Sequence, residues 1–141
     1  MHAEPHVDLA MLREVLATKF APWVGELELQ LVSARPGEVV LALPVAPRHV
    51  HGGGVLCGQS MMAAADTAMV LAICTRLGAF HPMTTVQLQT SFLRPIPGSA
   101  GTARVMAQVL RQGRKLVFGE IRVSEPSGEL AAHATTTYTL L

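Results

Sequence analysis

Residues Ser60–Cys74 read SMMAAADTAMVLAIC, a helix-forming run in which Met, Ala, Val, Leu and Ile occupy almost every side. A surface helix keeps one polar face, and this one has none, so protein must enclose it all round. Asp66 stands near its middle, and an unpaired carboxylate is costly to bury. As a helix, Ser60–Cys74 is about 22 Å long at ~1.5 Å per residue, less than the ~30 Å of a bilayer core. Glycines also break the apolar run in front of it, so it reads as the buried helix of a soluble protein. With its flanks the helix covers residues 58–77, and Gly78 is a natural stop.

Upstream, DLAMLREVLATKF (residues 8–20) places Leu9, Leu12, Val15, Leu16 and Phe20 at helical spacing, with Asp8 as N-cap. ELELQLVSA alternates Leu27, Leu29 and Leu31 against Glu26, Glu28 and Gln30, the pattern of a half-buried strand, and EVVLALPV is a second strand. A basic, glycine-rich connector, APRHVHGGGVLCG, leads into the apolar helix. Downstream, TTVQLQTSFLRP sets Thr85, Gln87, Gln89 and Ser91 on one face and Val86, Leu88, Thr90 and Phe92 on the other. GTARVMAQVL, KLVFGEIRV and ELAAHATTTYTLL are three more strands, joined by the turns RQGR and SEPSGE. Helix, two strands, helix, four strands, with no crossover helices among the last four, predicts an antiparallel sheet curled around the buried helix. A second subunit would close what the sheet leaves open.

The chain has 141 residues, the size of one domain, and 50% of them are hydrophobic, which argues against disorder. A net charge of +1 gives no case for nucleic-acid binding. Six bases nevertheless fall between Arg94 and Arg122 against one acid, Glu120. Either these are solvated strand faces or they form a site for a polyanionic ligand. Two cysteines without zinc-type spacing, and no basic leader followed by an apolar stretch, point to free thiols in the cytoplasm.

Asp66 has two readings. It is a carboxylate held by local groups at a dimer seam, or a general base or nucleophile whose basicity the apolar surroundings raise. Gly58 opens the helix, where its N–H, at the positive end of the helix dipole, can polarise a carbonyl oxygen. The two are eight positions apart, about 12 Å along one helix, too far for one small carbonyl to meet both. If both act, they come from different chains related by a two-fold axis. His51 can orient substrate or water, or be an ordinary loop histidine. Thr85 can hold a water or the acid. The pair of histidines in HVH has no third ligand nearby in sequence, so no metal is expected. Cys57 reads as a buried thiol, and no nucleotide loop or serine-hydrolase elbow is present.

At GQSMMAAADTA, TTVQLQTSFLRP, LRQGRKLVFGEIRV and GELAAHATTTYTL the chain resembles the PaaI-like acyl-CoA thioesterases of the hotdog fold. The resemblance runs from the first strand to the C-terminus. It implies an α+β fold with an antiparallel sheet of about six strands wrapped around a long central helix, in one hotdog domain over residues 1–141. Many members read His-Gly-Gly with the acid nine residues after the His. The HGG at His51 is out of that register, because nine residues on stands Ser60. Aligned on Asp66, Cys57 takes the His position, Gly58 the first Gly, His51 the place of an Asn or Gln, and Thr85 that of a Ser or Thr. The implied activity is hydrolysis of an acyl-CoA to free acid and coenzyme A. Gly58 N–H would polarise the carbonyl, and Asp66 of the partner subunit would activate water or attack directly. No cofactor is implied beyond the coenzyme A of the substrate. Gln59, Met62, Arg94, Arg111, Arg114 and Lys115 are the candidate substrate contacts, the basic ones for phosphate and the methionines Met61, Met62 and Met69 for the acyl chain or the core. A homodimer or homotetramer is expected, with neither nucleic acid nor membrane as partner. The rival readings are a hotdog enoyl-CoA hydratase and a non-catalytic acyl-CoA binding or scaffolding protein.

Overall fold

A computed structural model describes residues 6–141. Helix α1 (Leu9–Thr18) starts at Asp8, whose carboxylate accepts the Met11 N–H at 3.1 Å, and it buries Leu12 and Val15. The strands are β1 (Gln30–Arg35), β2 (Glu38–Pro44), β3 (Met83–Phe92), β4 (Thr102–Gln112), β5 (Leu116–Ser124) and β6 (Leu130–Leu140), with helix α2 (Gly58–Leu77) between β2 and β3. They form one antiparallel sheet in the order β1-β2-β4-β5-β6-β3. β3 follows α2 directly yet lies at the far edge beside β6, so the chain carries it across the sheet before β4 and β5 fill the middle.

The sheet curls around α2, whose Ala64, Ala68, Met69, Leu71, Ala72 and Ile73 are essentially inaccessible. At 20 residues the helix is about 30 Å long at 1.5 Å per residue, so length does not separate it from a membrane span. Burial does: 67% of its most apolar window lies inside the protein. Gly78 ends it at φ +80, donating its N–H to the Cys74 carbonyl at 2.9 Å.

Two local readings of the sequence are corrected. The alternating ELELQL does not start as strand. Pro22–Leu27 is a 3-10 turn, Glu28 is left-handed at φ 54, and pairing begins only at Gln30. Tertiary contacts override the alternation, because Arg48 and His49 both reach the Glu26 carbonyl and Arg48 pairs with Glu28 at 2.9 Å. In β3 the alternation breaks at a bulge. Thr85 opposes Tyr138 and Gln87 opposes Thr137, leaving Val86 unpaired and 59% exposed. A bulge re-aims the side chains around it. Here Thr85 turns inward, on the same side as Leu88 and Thr90 rather than Gln87.

Close packing of α2 on the sheet depends on Gly119. A Cβ there would collide with Met69 Cε and come within 2.8 Å of its Sδ and 2.7 Å of the Gln108 carbonyl oxygen. A side chain can yield, but a neighbouring strand's backbone cannot. Gly119→Ala is expected to cost about 1–3 kcal/mol, the usual size of an overpacking penalty, read as a lower denaturation midpoint at unchanged slope.

Candidate active site

In the first half of α2, Gln59, Met62, Ala63 and Asp66 keep some exposure while their neighbours are buried. They recur at i, i+3, i+4 and i+7, so they form one stripe that neither sheet nor α1 covers. Asp66 is half-buried on it. Its Oδ1 accepts the Thr85 hydroxyl at 2.9 Å and the Tyr138 hydroxyl, which also lies 2.9 Å from the Asp66 main-chain oxygen. Among the described residues Oδ2 accepts no hydrogen bond. The Tyr138 phenol is raised far above its ordinary range, by burial first and then by the Asp66 charge, so it stays a donor. Tyr138 is absent from the sequence-derived candidates. Its one signal is a bulky residue ending the inward row Ala134, Thr136, Tyr138 of β6.

Asp66 opens onto a cleft of about 300 Å³ lined by Phe20, Trp23, Val70, Phe80, Met83 and Lys19, among others. With four Phe, one Trp and one Tyr the chain has six aromatic residues. Four of them (Phe20, Trp23, Phe80 and Tyr138) line this cleft. Trp23 is 58% exposed at it, and the Lys19 ammonium lies 5.4 Å from the Phe80 ring centre. The three candidate methionines are elsewhere: Met69 is core beneath Gly119, Met61 lines the hollow at the helix start, and Met62 stays on the stripe.

Gly58, the first residue of α2, has no helical partner for its N–H. It lines a hollow of about 380 Å³ with His51, Met61, Phe92 and Arg94. A Cβ at Gly58 would approach the Phe92 ring to 3.0 Å, so glycine permits the contact. His51 accepts the Gly53 N–H on Nδ1 at 2.8 Å, which places the neutral ring's proton on Nε2 and makes that nitrogen a donor. Gln59 faces a separate hollow with Trp23, His49 and Ser60. Behind the helix start, the buried His49 faces the Glu26 carbonyl through Nε2 at 3.2 Å, so Nε2 donates and Nδ1 accepts from Ser60 at 3.3 Å. Ser60 in turn lies 3.1 Å from Cys57 Sγ, and the Cys57 N–H donates to the His49 carbonyl at 2.8 Å. This network ties the connector to the helix start and so aims the Gly58 N–H. Neither His49 nor Ser60 was singled out from sequence. Cys74 is inert, its thiol pushed up to about 11 by burial.

The basic candidates separate into two groups. Arg94 shares the Gly58 hollow but is paired with Glu125 at 3.4 Å and with Glu129. Arg111, Arg114 and Lys115 are exposed on the β4–β5 hairpin and make no ion pair among the described residues. The Lys115 carbonyl accepts the Leu140 N–H, two residues beyond Tyr138, whereas Arg94 N–H meets Ala131, seven residues before it. The two groups are therefore on the order of 30 Å apart along β6, the hairpin at the Asp66 end and Arg94 at the Gly58 end.

A six-stranded antiparallel sheet wrapped around one long helix, with a clefted acid on that helix, defines a hotdog-fold protein. Residues 48–132 match the thioesterase superfamily, and the chain belongs to it. Thioester hydrolysis is the class of reaction this membership carries. Human acyl-coenzyme A thioesterase 13 is similar, 29% identical over 133 residues that span 89% of this chain and 91% of the human protein. The structure of zebra fish thioesterase superfamily member 2 superposes with a TM-score of 0.80 at 25% identity, covering 94% of each chain. A mutant of the phenylacetic acid degradation protein PaaI from Thermus thermophilus gives 0.72 at 28% identity, covering 86% of this chain and all of its own.

Proposed function

We propose that this protein hydrolyses acyl-CoA thioesters to a free acid and coenzyme A. Asp66 of one subunit and the Gly58 N–H of its partner act on the same carbonyl. The observation that carries the reading is the Asp66 carboxylate, which lines an aromatic-walled cleft and is fixed through Oδ1 by two hydroxyls, while Oδ2 accepts no hydrogen bond among the described residues. Oδ2 takes a proton from water as the water oxygen attacks the thioester carbon, or attacks that carbon itself. The oxyanion rests on the Gly58 N–H at the positive end of its helix. On the water route, collapse expels the coenzyme A sulfur, which leaves with the proton taken by Asp66. On the direct route the sulfur leaves as thiolate; water then splits the acyl–Asp66 anhydride, one of its protons going to the free acid and the other to the thiolate, and the carboxylate is regenerated. Within one chain Gly58 is about 12 Å from Asp66. A dimer that packs the uncovered stripes Gln59, Met62, Ala63 and Asp66 against each other across a two-fold axis would run the helices antiparallel and bring the groups together. The cations of the β4–β5 hairpin, unpaired among the described residues, lie at the Asp66 end, where coenzyme A phosphates would find them, and the acyl group would occupy the cleft of Phe20, Trp23 and Phe80. The similarity to human acyl-coenzyme A thioesterase 13 supports the substrate class.

The test is thiol release from short, medium, long and aryl acyl-CoAs by the pure protein. Release of one thiol per acid formed is expected. Tight binding of an acyl-CoA without thiol release would overturn hydrolysis in favour of a binding protein, and hydration of crotonyl-CoA without release would replace it with a hydratase.

A further inference from the structure

Thr85 and Tyr138 are direct cross-strand partners on the edge pair β3–β6, and both hydroxyls converge on one oxygen of Asp66. The convergence is built by the backbone. The bulge at Val86 falls immediately after Thr85, so Thr85 turns inward beside Tyr138, where unbroken alternation would have carried Gln87 and Gln89 to the same face. Tyr138 is 3% exposed and is the chain's only tyrosine. Its hydroxyl spans the Asp66 main-chain oxygen and the carboxylate, bracing the side chain against its own helix turn. A carboxylate with one oxygen occupied by two donors has one rotamer and one free oxygen. Asp66 lines the cleft, where the ionisable groups beside it are Tyr138 and Lys19.

From this arrangement we infer that Tyr138 is a positioning residue for the hydrolysis: with Thr85 it locks Asp66 so that Oδ2 alone meets the substrate. The inference rests on Asp66 being the reacting acid. The phenol is 3% exposed and its hydroxyl is committed to Asp66, so its loss is expected to act on the chemical step and to spare binding. Tyr138→Phe keeps the ring in the core and removes one hydrogen bond to a charged group. Such bonds are worth about a factor of ten or more, so kcat should fall at least about tenfold with KM nearly unchanged. Because the two hydroxyls share one acceptor, either alone partly holds the rotamer. Tyr138→Phe combined with Thr85→Val should then lose more than the product of the two single losses, and Thr85→Ser in the Tyr138→Phe background should keep the activity of Tyr138→Phe alone.

A measurement on folded, unmodified protein complements the kinetics. The single tyrosine gives one 13Cζ signal after tyrosine labelling, and Asp66→Asn should move it, since the phenol's charged partner is gone. Unchanged kcat in Tyr138→Phe, a loss confined to KM, or a 13Cζ signal indifferent to Asp66→Asn would each overturn the assignment. If Asp66→Asn is inactive while Tyr138→Phe behaves as wild type, only the role of Tyr138 falls. If Asp66→Asn still turns over thioester, the catalytic reading of Asp66 falls and takes this inference with it.

Discussion

Asp66→Asn is expected to lower kcat/KM for acyl-CoA by a factor on the order of 10³, within the range for losing a positioned acid–base group, and to leave the melting curve and the oligomeric mass in place. The substitution is close to isosteric. The amide oxygen still accepts from Thr85 and Tyr138, so the hydrogen bonds that hold the helix to β3 and β6 persist. What changes is the other end of the carboxylate, where an NH2 replaces Oδ2 and can neither take a proton nor attack a carbonyl. Turnover within a few-fold of wild type would mean that the acid is a structural brace. Inactivity together with a collapsed melting curve would locate its contribution in folding.

Restored activity is the second expected result, on mixing two inactive variants. Gly58→Pro deletes only the N–H proposed to bind the oxyanion, at the first helical position where proline is well tolerated. Cys57 before it already has φ −71 and ψ 147, the extended conformation a following proline requires. Its ring meets Phe92, a half-exposed side chain with room to swing. If Gly58 and Asp66 serve one site from two chains, an equal mixture of Gly58→Pro and Asp66→Asn, exchanged at random, forms mixed dimers in half of its population. Each mixed dimer has one site with both lesions and one with neither, so about a quarter of wild-type activity returns. No recovery, with exchange proven by mass, would mean that the site lies within one chain.

The architecture was legible because α2 leaves little choice. A helix apolar on every side, followed by four strand-like segments joined by hairpin turns, fits few folds. The site was legible less evenly. Asp66 stands out as the lone charge in a greasy stretch, and Gly58 marks a helix start. Tyr138 could not be paired with Asp66, because the contact spans 72 residues and depends on β3 crossing to the far edge beside β6. The inward turn of Thr85 depends on one inserted residue, Val86: period-2 counting groups Leu88 with Thr90 as found but sets Thr85 on the opposite face. ELELQL misleads for a related reason: Arg48 and His49, about 20 residues downstream, decide its shape, and alternation is blind to them.

Part of the cleft wall comes from a different stretch of chain than the acid. Phe20 and Trp23, from the link between α1 and β1, precede the superfamily match at residues 48–132, whereas Asp66, Thr85 and the helix start lie inside it. Under the proposed hydrolysis, part of the selectivity would be encoded apart from the reacting acid. If the cleft takes the acyl group as proposed, exchanging the Phe20–Trp23 link between relatives would change which acids are released while Asp66, Thr85 and the helix start stay as they are.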